Sequence, residues 1–165
     1  MSPMFIINIK SNSTILRDVL KLEKRSNIKL NPIEKILLIN TGTTEQFLQI
    51  LSNSLTKIVI KQQIEKNNII TRKINIISKG REKVLANASS TIYLKNLPKN
   101  IIYEIRKKEK GIGIIILKNK LETYKNITEI GFNPEKSYIY RKYTLFSGKL
   151  IICKVIENFS IGRWI

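Results

Sequence analysis

Histidine is absent from this chain of 165 residues, and cysteine and aspartate occur once each, as Cys153 and Asp18. The missing imidazole removes the commonest zinc ligand and the commonest general base, and one thiol with one aspartate builds no convincing metal cluster. No metal is therefore expected, and any chemistry must run on Glu, Arg, Lys, Tyr and backbone groups. A single thiol also excludes an internal disulfide. Cys153 sits in an apolar stretch, where a buried thiol behaves as a small hydrophobe, which fits a reducing compartment. Long apolar runs are lacking as well: none approaches the ~20 residues of a membrane helix. The opening MSPMFIINIK does not have the basic-then-apolar layout of a signal peptide, so the protein is expected to be soluble, not secreted and without a membrane partner. With no internal repeat, Pro-rich linker or low-complexity tail, one domain is expected over residues 1–165.

Negative charge is scarce. Thirty Lys+Arg face twelve Asp+Glu, a formal charge of +18, which is the usual footprint of a nucleic-acid partner. The basic residues, however, are scattered as single lysines among Ile and Asn, and the one dense run is Arg106, Lys107, Lys108 and Lys110. Lys, Ile and Asn are the residues of A/T-rich codons, so genome composition alone produces such a coat, and nucleic acid is not the expected partner. An RNA- or ribosome-associated protein would instead show exposed aromatics among its basic residues. Tyr138, Tyr140 and Tyr143 with Arg141 and Lys142 are the candidates for that surface, but they lie in a strand pattern, where aromatics more often pack.

Turning to what is present, 42% hydrophobic content in a chain of this length can close one core around an internal pocket. Residues 1–30 read weakly. Asn31 then offers an N-cap with Pro32 at the first helical position before IEKILL. The helix breaks at NTGTT, where Gly42 allows a turn and Thr43 or Thr44 can cap a second helix running to about Leu55. From Thr56 the period changes to two, in TKIVIKQQI, IITRKINII, VLANASSTIYL, SYIYRKYTLF and KLIICKVIENF. Turn signals fall at Asn67-Asn68, Lys79-Gly80, Asn133-Pro134 and Ser147-Gly148. LPKNIIYEIRKKEKG reads as a helix from Pro98 that stops before Gly111. Strands so close in sequence, without crossovers, favour antiparallel pairing. The fold class is α+β: one antiparallel sheet of about six strands, helices mainly on one face, and an internal ligand pocket.

Strand alternation singles out two charges. Arg72 shares a face with Ile70, Ile74 and Ile76, and Glu157 shares one with Ile151, Cys153, Val155 and Phe159. Charges on apolar faces cost several kcal/mol unless paired or neutralised. From the residues alone, two readings stay open. Either the two form a structural ion pair, or a bulge turns one outward; or they line a pocket in which Arg grips a carboxylate while Glu meets a hydroxyl or works as acid or base.

An ordered set of short motifs over roughly residues 35–160 resembles the chorismate lyases (4-hydroxybenzoate synthases), in particular a plastid-encoded branch. LLINTGTTEQFL resembles that family's first helix pair, TRKINII its arginine strand, VLANASSTIYLKNLP the strand that follows, KGIGIII a ligand-contacting loop, and SGKLIICKVIENF the last strand with the catalytic glutamate. The resemblance implies a carboxylate-binding and catalytic Arg72, a catalytic Glu157 that also contacts substrate, and contacts from the backbone amide of Ile112 and from near Thr43. It implies conversion of chorismate to 4-hydroxybenzoate and pyruvate without metal or organic cofactor, with a small aromatic carboxylate as the partner of a monomeric chain made inside a plastid. Departures are visible. Ser89 stands where the family has an arginine, Tyr93 where it has a proline and Gly111 where its loop has a proline, and Glu157 comes into register only after a one-residue insertion. A non-catalytic receptor for a small aromatic carboxylate on the same fold is the alternative they favour.

If the basic coat is dispersed, nucleic-acid binding should be weak and vanish in moderate salt, as counterion release requires. Filter binding or anisotropy with an RNA across a salt series checks this, and tight sequence-selective binding at physiological salt would contradict it.

Overall fold

The computed structural model describes residues 4–10 and 15–162, so the first three residues of the opening stretch lie outside it. Strand β1 (Phe5–Asn8) and helix α1 (Ile15–Ser26) come first, then α2 (Pro32–Ile39) and α3 (Thr44–Ser52). Three long strands follow: β2 (Thr56–Lys66), β3 (Ile69–Ser78) and β4 (Val84–Tyr93). A short 3-10 turn leads to α4 (Lys99–Arg106) and α5 (Ile112–Lys118), and the chain closes with β5 (Tyr124–Asn133), β6 (Tyr138–Ser147) and β7 (Leu150–Ser160).

Local chemistry explains the punctuation. The Asn31 side chain accepts from the Glu34 amide at 2.9 Å and the Glu34 carboxylate accepts from the Asn31 amide at 2.9 Å, a reciprocal cap with Pro32 behind it. At the β2–β3 hairpin, Asn67 and Asn68 both adopt left-handed backbone, at φ 53° and 60°. Two such residues make the tight turn whose twist matches that of the flanking strands.

All seven strands form one antiparallel sheet in the order β1-β5-β6-β7-β4-β3-β2. The expected count of about six is therefore low. Strand β1 has only four residues, and β5 hides its alternation behind a bulge between Ile127 and Glu129 that shifts the parity of everything after it. Helix α1 reads weakly because Leu16 and Leu20 are exposed while Val19 and Leu22 are buried, which blurs the apolar stripe. The expected long helix before Gly111 ends at Arg106, and GIGIII turns out to begin α5.

Helices and the apolar core cover one face of the sheet. Across that face from β5 to β2 runs the row Ile127, Tyr143, Val155, Ser90, Arg72 and Gln63. Beside it runs Ile130, Arg141, Glu157, Ala88, Ile74 and Ile60. The opposite face carries polar side chains such as Thr71, Lys73, Ser89, Thr91, Lys142 and Lys154. Of the residues considered for an aromatic-and-basic surface, Arg141, Tyr140 and Tyr143 are buried, while Tyr138 and Lys142 are half-buried.

Tyr140 lies flat over Gly131 on the neighbouring strand, and its hydroxyl donates to Glu129 at 2.8 Å. A Cβ at Gly131 would fall inside the ring's envelope. Gly131→Ala is expected to displace the ring and cost about 1 to 3 kcal/mol, measurable as a lowered melting temperature.

Candidate functional site

Between the inner face of the sheet and the starts of α3 and α5 lies a cavity of about 320 Å³. That volume is at the small end of ligand pockets. Its walls are largely aliphatic, with Ile58, Ile74, Ile76, Leu145 and Val155, and its polar groups include Arg72, Thr43, Glu45, Lys125 and Glu157. Arg72 and Glu157, the two charges singled out by alternation, thus face the same cavity.

Arg72 is 3% exposed. Its Nε donates to Gln63 at 2.8 Å, one terminal nitrogen to the Lys110 carbonyl at 2.9 Å and the other to the Ile105 carbonyl at 2.9 Å. These bonds tie β3 to the end of α4 and to the loop before α5, and the Ile105 carbonyl also accepts from the Gln63 side-chain amide and the Lys108 N–H. Three of the five N–H donors of the guanidinium are used, and no carboxylate pairs with it among the described residues. Burial pulls its pKa down from the ordinary value, yet a guanidinium stays protonated in proteins. The cavity therefore contains a desolvated cation held by carbonyl and amide oxygens, with two N–H groups to spare.

Glu157 is 4% exposed and does not pair with Arg72. Its partner is Arg141, 1% exposed, whose Nε donates at 2.8 Å. The Thr44 hydroxyl and the Tyr143 hydroxyl each donate to the other carboxylate oxygen at 2.8 Å. Arg141 also donates to the Asn40 carbonyl and, at 3.0 Å, to the Thr44 hydroxyl. Burial alone would favour the neutral acid, but the charges of Arg141 and Lys125 and the bonds from Thr44 and Arg141 outweigh it, so the carboxyl sits below its usual range and is ionised. Burial, then the charge of Glu157, pushes the Tyr143 phenol well above its ordinary value, which keeps it a donor.

Sequence reasoning missed Arg141 and Lys125. The signal for Arg141 was present, since it shares parity with Ile139, Tyr143 and Leu145 in SYIYRKYTLF. Lys125 stands before the β5 bulge and sits partly buried at the cavity wall. Its ammonium donates to the Gly42 carbonyl at 2.8 Å and lies 4.4 Å from the centre of the Tyr143 ring. Burial, with the nearby Arg141 charge, draws its pKa down to about 8 against the opposing pull of Glu157. Glu45, also on the cavity, is shifted the other way: burial raises its carboxyl, countered in part by the bond from Thr56 and the charge of Lys79.

Thr43 lines the cavity and stands at the N-cap of α3, but its side chain makes no capping bond. The neighbouring hydroxyl of Thr44 is instead committed to Glu157. Thr43 touches the start of α5 so closely that a side chain at Gly113 would press on its methyl at 3.2 Å. Ile112 opens α5 and lines the cavity, and as a first helical residue its N–H has no acceptor inside the helix. Arg72 holds the carbonyl two residues before it, which fixes where that amide sits. Ser89 pairs with Lys73 and faces the open polar side, so the departure there does not touch this cavity. Tyr93 ends β4, away from the cavity lining. No group of His, Cys, Asp and Glu among the described residues is placed to hold a metal. No described helix is long and apolar enough to cross a membrane. Cys153 is buried, its thiol pushed up to about 12 by desolvation.

Among solved structures, PhnF from Mycobacterium smegmatis superposes with a TM-score of 0.52 over 77% of this chain and 67% of its own. The fold is chorismate lyase-like. At 6% identity the likeness to PhnF concerns the chorismate lyase-like fold alone. No protein-family model and no curated protein matches the chain in sequence.

Two expectations follow from the ion pair. Glu157→Gln leaves a buried guanidinium without its counter-charge and should cost about 3 to 5 kcal/mol, while Arg141→Met with Glu157→Leu should recover much of it. Because the folded carboxyl lies below its unfolded value of about 4.3, its contribution is complete above that pH and is lost as pH falls through the folded pKa. Acid titration of stability by circular dichroism should show this steepness in the parent and not in Glu157→Gln.

Proposed function

We propose that the cavity binds a small aromatic carboxylate and that the protein is a cofactor-independent lyase acting on chorismate. The observation that carries this reading is Arg72: a buried cation without a carboxylate partner among the described residues, facing an aliphatic cavity with spare donors. A ring carboxylate supplies the missing anion, with the Ile112 amide as an adjacent donor. The ring then lies against Ile74, Ile76 and Val155. Glu157, ionised, can take a hydrogen bond from the ring hydroxyl through the acceptor capacity left beside Thr44, Tyr143 and Arg141. In the reaction the ether bond to the ring breaks and the ring loses a proton as it becomes aromatic. The departing enolpyruvyl group takes up a proton and becomes pyruvate. Aromatisation supplies the drive, so the protein needs to orient the substrate and exclude water.

A receptor that binds without turnover is the second reading, favoured by the three protein donors already on Glu157, which hold it as the ionised acceptor. Incubation with chorismate, with product detected by chromatography, separates the two. Appearance of 4-hydroxybenzoate above the uncatalysed rate is the expected result. A melting shift with 4-hydroxybenzoate but no product would favour the receptor, and neither product nor shift would overturn both. Arg72→Ala should abolish the shift, and it should also loosen the α4–α5 loop, because three protein hydrogen bonds go with the ligand contact.

A further inference from the structure

We propose that Lys125 is a second anchor of the cavity and that the ligand carries an acidic group at each end, one held by Arg72 and the other by Lys125. The proposal rests on the reading of the cavity as a carboxylate site and adds the far end of the ligand to it.

The argument begins with charge. The cavity receives cations from Arg72 and Lys125, with Arg141 behind Glu157, against the carboxyls of Glu157 and Glu45. Arg141 and Glu157 satisfy each other. Glu45 accepts from Thr56 and forms no ion pair with Arg72 or Lys125. Among the described residues neither Arg72 nor Lys125 forms an ion pair, and Lys125, like Arg72, is held by a carbonyl. Its depressed pKa has the same cause, a charge drawn out of water with too little compensation.

Position completes it. Arg72 lies on β3 and Lys125 on β5, with β4, β7 and β6 between them. Four strand spacings put the two backbones on the order of 19 Å apart, and both side chains reach inward from there. Between them the floor is Val155 and Leu145, with the Tyr143 ring beneath the ammonium. Two cationic ends with an apolar waist suit a benzenoid or cyclohexadiene ring bearing an acid at each end. One acid alone leaves Lys125 desolvated and unpaired. A reaction that removes one acidic arm also removes one anchor, so the monoacid product is released from a site that held the diacid at both ends.

The test is isothermal titration of the full chain with terephthalate and 4-(carboxymethyl)benzoate, two diacids of different length, against the monoacid 4-methylbenzoate. The parent should bind at least one diacid ~10-fold or more tightly than the monoacid, the scale of a hydrogen bond to a charged group. Lys125→Met, which keeps the aliphatic stem, should erase that preference; Lys125→Arg should retain it. Equal binding of mono- and diacids by the parent, or a preference that survives Lys125→Met, overturns the second anchor while the Arg72 site stands. Loss of all binding in Arg72→Ala is the expected companion result. Binding of none of the three acids by the parent, or equal binding by Arg72→Ala, overturns the carboxylate site and the second anchor together.

Discussion

The Arg141–Glu157 ion pair is the point at which the elements of this fold meet. Glu157 comes from β7 and Arg141 from β6, the central strands beneath the helices. Through the Asn40 carbonyl the guanidinium holds the end of α2, and through Thr44 both charges hold the first turn of α3. A buried pair of this kind has to recover a large desolvation penalty by geometry and additional hydrogen bonds. Here those bonds reach the end of α2, the first turn of α3 and Tyr143 on β6. The turn between α2 and α3, which forms one wall of the cavity, is therefore positioned by electrostatics rather than by packing alone.

Arg72 does the corresponding work on the other side, fastening the α4–α5 connection to β3. The two arginines differ in one respect that matters for function. Arg141 has its counter-charge in the protein, whereas Arg72 is held by neutral oxygens. A structural role and a binding role for Arg72 are not alternatives, since the bonds that fix the loop also hold the guanidinium plane in place for a ligand.

Much of this was legible in the sequence where the chain is regular. Period-two alternation in β3 and β7 put Arg72 and Glu157 on inward faces, and the Asn31 cap and the Asn67-Asn68 turn stood at their expected places. Legibility failed where regularity does. The bulge in β5 breaks its parity and concealed both the strand and Lys125. Helix α5 is a short β-branched run interrupted by Gly113, which carries neither strand alternation nor helical periodicity. Pairing was the deeper difficulty: alternation tells which face a charge is on but not which neighbour it meets, and the strand order that puts Glu157 beside Arg141, with β4 between it and the strand of Arg72, is a property of the whole sheet.

The long outer strand β2 gives the lysine-rich composition a second meaning. Its eleven residues end the sheet on one side, with no strand paired to its outer edge among the described residues. Such an edge is a template on which another chain can add a strand. Lys57, Lys61 and Lys66 are spaced along it, and a bulge between Ile60 and Gln62 interrupts its regular hydrogen-bonding frame. A second β2 approaching edge to edge would bring like charges together and meet a broken register. The lysines of β2 thus set repeated like charges along the border of an isoleucine-rich sheet.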